Sequence, residues 1–268
     1  MTRRSEIVTA GTVSVETYID GHGPAVVILP SYGRDGGRDF NPLTATLVEA
    51  GYRVLRPQPR GVAGSSGPMT AVGFDDMAHD VAAVIEALAD GPAVVLGHAF
   101  GNFVARATAV HHRDKVAAVI LAAASGKTVD PAVNSAPMRA GDLTLSDDER
   151  LAALRLAFFA PGHDVSGWLT GWYPRTLAMQ VDCVHHADVN RYRGAGTAPI
   201  FEIIAALDPF HQRDEWDDLR HRYGDRVTTT VIADASHALF PEQPTAVAEV
   251  ITSYLGNRNP SGWGGNHV

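Results

Sequence analysis

The chain has 268 residues, 45% of them hydrophobic, a formal net charge of -8 and a single cysteine, Cys183. One cysteine excludes an intrachain disulfide framework and a metal site built on several thiolates, and an acidic balance with scattered arginines argues against nucleic acid, whose phosphates demand a basic face. No apolar run reaches the ~18 residues of a membrane span, and Met1-Thr2-Arg3-Arg4-Ser5-Glu6 has a basic pair without the apolar stretch of a secretory leader, so a cytoplasmic location is expected.

Residues Thr12 to Tyr18 alternate with the period of two of a half-buried strand. After the turn at Asp20-Gly21-His22-Gly23-Pro24, the continuous apolar run Ala25 to Leu29 predicts a strand buried on both faces. A glycine-rich loop, Pro30 to Gly37, precedes a helix from Asn41 to Ala50, with Asn41 as N-cap, Pro42 in the first turn and Gly51 past the end. A strand over Tyr52 to Arg56 and a loop over Pro57 to Gly67 come next. Met77, Val81, Val84, Ile85 and Leu88 then mark one face of a helix from Phe74 to Ala89. Ala93 to Leu96 is a strand, Asn102 to Val110 a helix and Val116 to Ala124 another central strand.

The rhythm breaks between Ser125 and Pro199, where two helices are expected, Asp147 to Phe159 and Gly167 to Val184, and no strand. Strand Ile200 to Leu207, helix Gln212 to Tyr223, strand Val227 to Ala233 and helix Thr245 to Leu255 close the chain. Alternating strands and helices predict an α/β fold: a mostly parallel central sheet of about eight strands, helices on both faces and a helical cap insertion. The expected division is a core of residues 1–125 and 199–256, a cap of 126–198 and a flexible tail of 257–268. The cap should sit over the carboxyl ends of the strands, where open α/β sheets hold ligands.

The stretch Gly97-His98-Ala99-Phe100-Gly101 lies between a buried strand and a helix and has the spacing of the G-x-S-x-G nucleophile elbow. Alanine stands where the nucleophile belongs. A late histidine, His237, follows a strand in Ala233-Asp234-Ala235-Ser236-His237, and Asp208 follows the strand before that. A histidine on such a loop can act as general base, and a carboxylate can fix its tautomer. The plainer readings are a surface histidine for His237 and a helix N-cap for Asp208. Asp234, three residues before His237, is the nearest rival acid, and His98 is expected to pack beside the turn.

Together these features resemble the α/β-hydrolase fold family, from about Val13 to Leu255. The resemblance implies the chain order nucleophile position 99, acid Asp208, base His237. It implies an oxyanion hole from the backbone N–H groups of Phe100 and Tyr32, where Pro30-Ser31 replaces the family's usual His-Gly. The segment Arg60-Gly61-Val62-Ala63-Gly64-Ser65-Ser66 is similar to the family's R-G-x-G-x-S and is expected to shape structure rather than chemistry, with Gln58 replacing the usual acid.

Three accounts of Ala99 fit: a serine replaced to trap substrate or product, a natural pseudoenzyme that binds without turnover, or an aspartate replaced in an Asp-nucleophile hydrolase. The first is preferred because every other part of the site is in place. The resemblance then implies a carboxylesterase or lactonase acting on a small hydrophobic ester or lactone, impaired as written. A non-catalytic binding protein and a cofactor-free oxygenase or lyase are the alternatives. Ser31, Phe158, Trp168, Trp172 and Tyr173 are the candidate substrate contacts; Trp168 and Trp172, four apart, would share one helix face as either lid or core. His163, His185 and His186 lack the spacing of a helical metal site, so neither metal nor cofactor is expected. A homodimer is left open.

Overall fold

In a computed structural model, which describes residues 4–258, eight strands form one sheet in the order β1-β2-β4-β3-β5-β6-β7-β8. They are β1 Arg4–Ala10, β2 Val13–Asp20, β3 Ala25–Leu29, β4 Arg53–Pro57, β5 Ala93–His98, β6 Val116–Ala122, β7 Ile200–Ala205 and β8 Val227–Ile232. The first two ladders, β1 with β2 and β2 with β4, are antiparallel; all others are parallel. Most of the expected flexible tail, residues 259–268, lies outside the described residues.

Strand alternation divides the core. Val26, Ile28, Val94 and Leu96 face helices α1 (Asn41–Glu49) and α9 (Pro244–Gly256). Val27, Leu29 and Val95 face α2 (Phe74–Leu88) and α3 (Gly101–His111). Because β3 and β5 carry apolar side chains at both parities, both faces must be covered, which is the physical reason for the three-layer arrangement.

Between β6 and β7 the chain forms the expected cap, built from α4 (Pro131–Gly141), α5 (Asp147–Ala157) and α6 (Pro174–His186). It has its own apolar centre of Leu154, Phe158, Trp168, Trp172 and Leu177, which also takes in Phe210 and Ala238 from the core. The short helices α7 (Asp218–Tyr223) and α8 (Leu239–Glu242) complete the α-helices of the described residues.

Four expectations require correction. Strand β1 adds an element beyond those expected, because most of its residues are exposed and it carries no period-two apolar face. Helix α4 is a second addition, its pattern being interrupted by Pro137. The expected helix Gly167 to Val184 is two pieces: a 3-10 turn, Ser166–Leu169, then α6. Gly171 adopts a left-handed φ of 77° and Pro174 starts a new helix, so Trp168 and Trp172 do not share a helix face. The helix expected from Gln212 begins only at Asp218, after a 3-10 turn at Arg213–Glu215. A smaller difference concerns Asn41: it is the first residue of α1, not its cap, and its Oδ1 accepts a hydrogen bond from Arg56 Nη1 at 2.9 Å.

Candidate active site

The elbow is held open by small residues. Ala99 has φ 51°, a left-handed conformation that costs an L-residue roughly 1–2 kcal/mol. A Cβ on Gly97 would come within 2.3 Å of the Gly101 carbonyl oxygen, and one on Gly101 within 2.4 Å of the Leu29 carbonyl oxygen. Both glycines therefore allow the helix to start immediately against the strand. The turn is pinned by Ala99 N–H to Ala122 O at 3.0 Å and Asn102 Nδ2 to the same oxygen at 2.9 Å. The methyl group of Ala99 thus stands at the carboxyl end of β5.

Asp208 and His237 are brought together from the ends of β7 and β8. His237 Nδ1 lies 2.9 Å from Asp208 Oδ2, and both side chains are buried. The carboxylate accepts, so the proton is on Nδ1 and the imidazole Nε2 is free to act as a base. The other oxygen, Asp208 Oδ1, accepts from Phe210 N–H at 2.9 Å, so the aspartate both shapes its turn and orients the histidine. The imidazole is walled by Phe210, ring centroids 4.2 Å apart, and Phe158, 5.6 Å. Asp234 lies elsewhere: it is exposed and faces His163 and Gln243.

Three consecutive residues fix the histidine loop. Ser236 N–H donates to Glu242 Oε2 at 2.8 Å, and Ala238 N–H donates to Phe158 O at 2.7 Å. Between them, His98 Nε2 lies 2.7 Å from the His237 carbonyl oxygen, so His98 carries its proton on Nε2 and donates it. Burial pushes the His98 imidazole down to about 4, with His237 beside it acting in the same direction. His98 is a neutral strut between elbow and base. Glu242 Oε1 accepts Ala160 N–H at 2.6 Å, which ties the same loop to the cap.

Ala99, Phe100, Tyr32 and His237 line one cavity of about 170 Å³. Neither the Tyr32 nor the Phe100 backbone N–H has an acceptor among the described residues. The Tyr32 hydroxyl also lacks a partner there, and burial raises its pKa. The loop carrying Tyr32 is set from the cap: Gly33 N–H donates to Gln180 Oε1 at 2.7 Å, and Tyr173 N–H to Gly33 O at 2.8 Å. Arg34 adds a third tie, with Nη1 2.7 Å from Thr170 O and its guanidinium 4.2 Å from the centre of the Trp168 ring.

None of the five expected substrate contacts lines this cavity. Phe158, Trp168 and Trp172 are buried in the cap's own apolar centre, Ser31 is buried in the loop, and the Tyr173 hydroxyl reaches Asp35 Oδ2 at 3.3 Å. The wall is made instead by Phe103, Ser125 and Phe210 from the core and by Met138, Val184 and His185 from the cap. Ser125 follows the strand next to the elbow, a position readable from the topology; the cap residues carry no such signal. The Arg60 segment is structural here: Arg60 holds Asp80 through two bonds of 2.7 and 3.0 Å, and Ser65 Oγ donates to Gln58 O at 2.9 Å.

Among the described residues, no group of three or more His, Cys, Asp or Glu side chains could hold a metal, and no helix is long and apolar enough to cross a membrane.

A family model described as alpha/beta hydrolase fold matches residues 24–172. The chain is 34% identical over 180 residues to a non-heme chloroperoxidase of Streptomyces lividans, covering 65% of this chain and 61% of that protein. It is 34% identical over 110 residues to RutD of Variovorax paradoxus (strain S110), whose name proposes a carbamate hydrolase; this covers 40% of this chain and 41% of the relative. The matches thus span under two thirds of each curated relative. A thermophilic esterase from Thermogutta terrifontis superposes with a TM-score of 0.77 at 21% identity, over 96% of this chain and 99% of that one. At that identity the likeness is one of fold.

Proposed function

The chain belongs to the alpha/beta-hydrolase fold family, and from that premise we propose that its site is built for acyl transfer from a small hydrophobic carboxylic ester or lactone, with position 99 as the seat of the nucleophile. The observation that carries the reading is the convergence on one cavity of a left-handed elbow residue, an oriented His237–Asp208 pair and two unpaired backbone N–H groups.

With serine at 99, His237 Nε2 would take the hydroxyl proton as Oγ attacks the carbonyl. The Phe100 and Tyr32 N–H groups would hold the developing oxyanion, and Asp208 would stabilise the imidazolium. His237 would return the proton to the leaving alkoxide and then activate a water to cleave the acyl-enzyme. With alanine the covalent step has no attacking atom, while the groups that bind the carbonyl are intact. In this reading the chain as written binds such esters and turns them over slowly, by ~10⁴-fold or more below the serine form. The test is Ala99→Ser, assayed against aryl esters, lactones and carbamates. Turnover is expected, and a folded variant inactive on the whole panel would overturn the acyl-transfer reading.

Ala99 itself supports a second reading. A buried His–Asp pair beside two N–H donors can remove a proton next to a carbonyl without a covalent intermediate. Product formation by the unaltered chain, undiminished relative to Ala99→Ser, would favour that reading.

A further inference from the structure

Behind the elbow lies a second, smaller cavity of about 60 Å³. The same three segments wall both cavities, each with neighbouring residues. The loop after β3 gives Tyr32 to the first and Pro30 to the second. The elbow gives Ala99 to the first and Gly101 to the second, and α6 gives Val181 to the first and Met179 to the second. Phe100 lines both. Its ring packs 4.7 Å from that of Tyr32 and 5.8 Å from that of Phe74, centroid to centroid.

The inner wall is mainly apolar: Val15, Leu29, Met77, Val81 and Val104 are all buried. Its polar members are engaged with the protein. Arg60 and Asp80 bond each other, Gln58 bridges Gly36 N–H and Arg56 O, and Gln180 Oε1 accepts from Gly33. A cavity so lined favours an apolar guest over water, and its volume suits on the order of three carbon atoms.

We propose that this inner cavity is an acyl-tail subsite: it takes the end of a straight alkyl chain whose carbonyl lies at position 99, with the Phe100 ring as the movable partition. The substrate class is then esters of unbranched aliphatic acids. The placement of the carbonyl rests on the acyl-transfer reading above; the existence of the subsite does not need turnover.

The test is calorimetric binding of butyrate, hexanoate and octanoate to the unaltered chain. Their carboxylates mimic the acid product and can meet the free Tyr32 and Phe100 N–H groups. Affinity should rise about fourfold per added methylene until the inner cavity is full. Val81→Phe, which fills that cavity from α2, should leave butyrate binding unchanged and remove the gain for octanoate; Val104→Met gives the same measurement from α3 if Val81→Phe does not fold. Equal chain-length dependence with and without the filling substitution overturns the subsite, as does failure of octanoate to bind at millimolar concentration. Hydrolysis by Ala99→Ser separates the two proposals. Ester turnover whose chain-length preference ignores Val81→Phe removes the subsite and leaves acyl transfer standing. Chain-length-dependent binding that Val81→Phe abolishes, with no ester hydrolysed, keeps the subsite and removes acyl transfer.

Discussion

His98 should make the site acid-labile, and the size of the effect follows from its burial. Its imidazole titrates near 6.5 in an unfolded chain and about 4 in the fold, where burial disfavours the cation and His237 repels it. A base depressed on folding contributes stability that is present above the unfolded value and lost as pH falls toward the folded one. Between pH 7.5 and pH 4.5 this amounts to about 2.5 kcal/mol, because the unfolded state gains a proton that the folded state refuses. His98→Gln keeps an N–H that can reach the His237 carbonyl but cannot titrate. Urea unfolding at the two pH values should therefore show the unaltered chain losing about 2.5 kcal/mol more than His98→Gln. The other histidines are common to both proteins and cancel in the comparison. Identical pH dependence in the two proteins would refute the argument, since it would mean that His98 is protonated equally easily folded and unfolded.

Two more perturbations test the neighbouring structure. Glu202, buried in the middle of β7, has its carboxyl pushed up to about 7 by desolvation, against the pull of Arg106 and Arg193. A raised acid stabilises below its unfolded value, near 4.5, and that contribution is lost as pH rises to about 7. Glu202→Gln should accordingly be more stable than the unaltered chain at pH 8, by up to about 3 kcal/mol, and no more stable below pH 4.5, as thermal unfolding across pH would show; parallel curves would exclude it. Gln180→Leu should leave the Gly33 N–H without its acceptor, lowering stability by about 1–3 kcal/mol and raising hydrogen exchange at Gly33. Unchanged exchange at that amide would show that the cap does not set the Tyr32 loop.

The core of the fold was legible in the sequence because burial on both faces leaves a local mark. Ala25–Leu29 and residues 93–96 are continuous apolar runs, and Gly97 and Gly101 bracket a turn that larger residues would block. Strand β1 and the cap helices left weaker marks: one is an exposed edge, the others include proline, glycine and a 3-10 turn. The resemblance carried by the elbow's spacing, rather than spacing alone, singled out Ala99, Asp208 and His237 as candidates, each on a loop after a strand. What spacing could not supply was contact. That His98 donates to the His237 carbonyl, that Gln180 holds the loop of Tyr32, and that Trp168 and Trp172 turn into the cap rather than toward Ala99 are facts of packing between segments far apart in the chain. Periodicity records which side chains leave water; only the tertiary structure decides which of them meet.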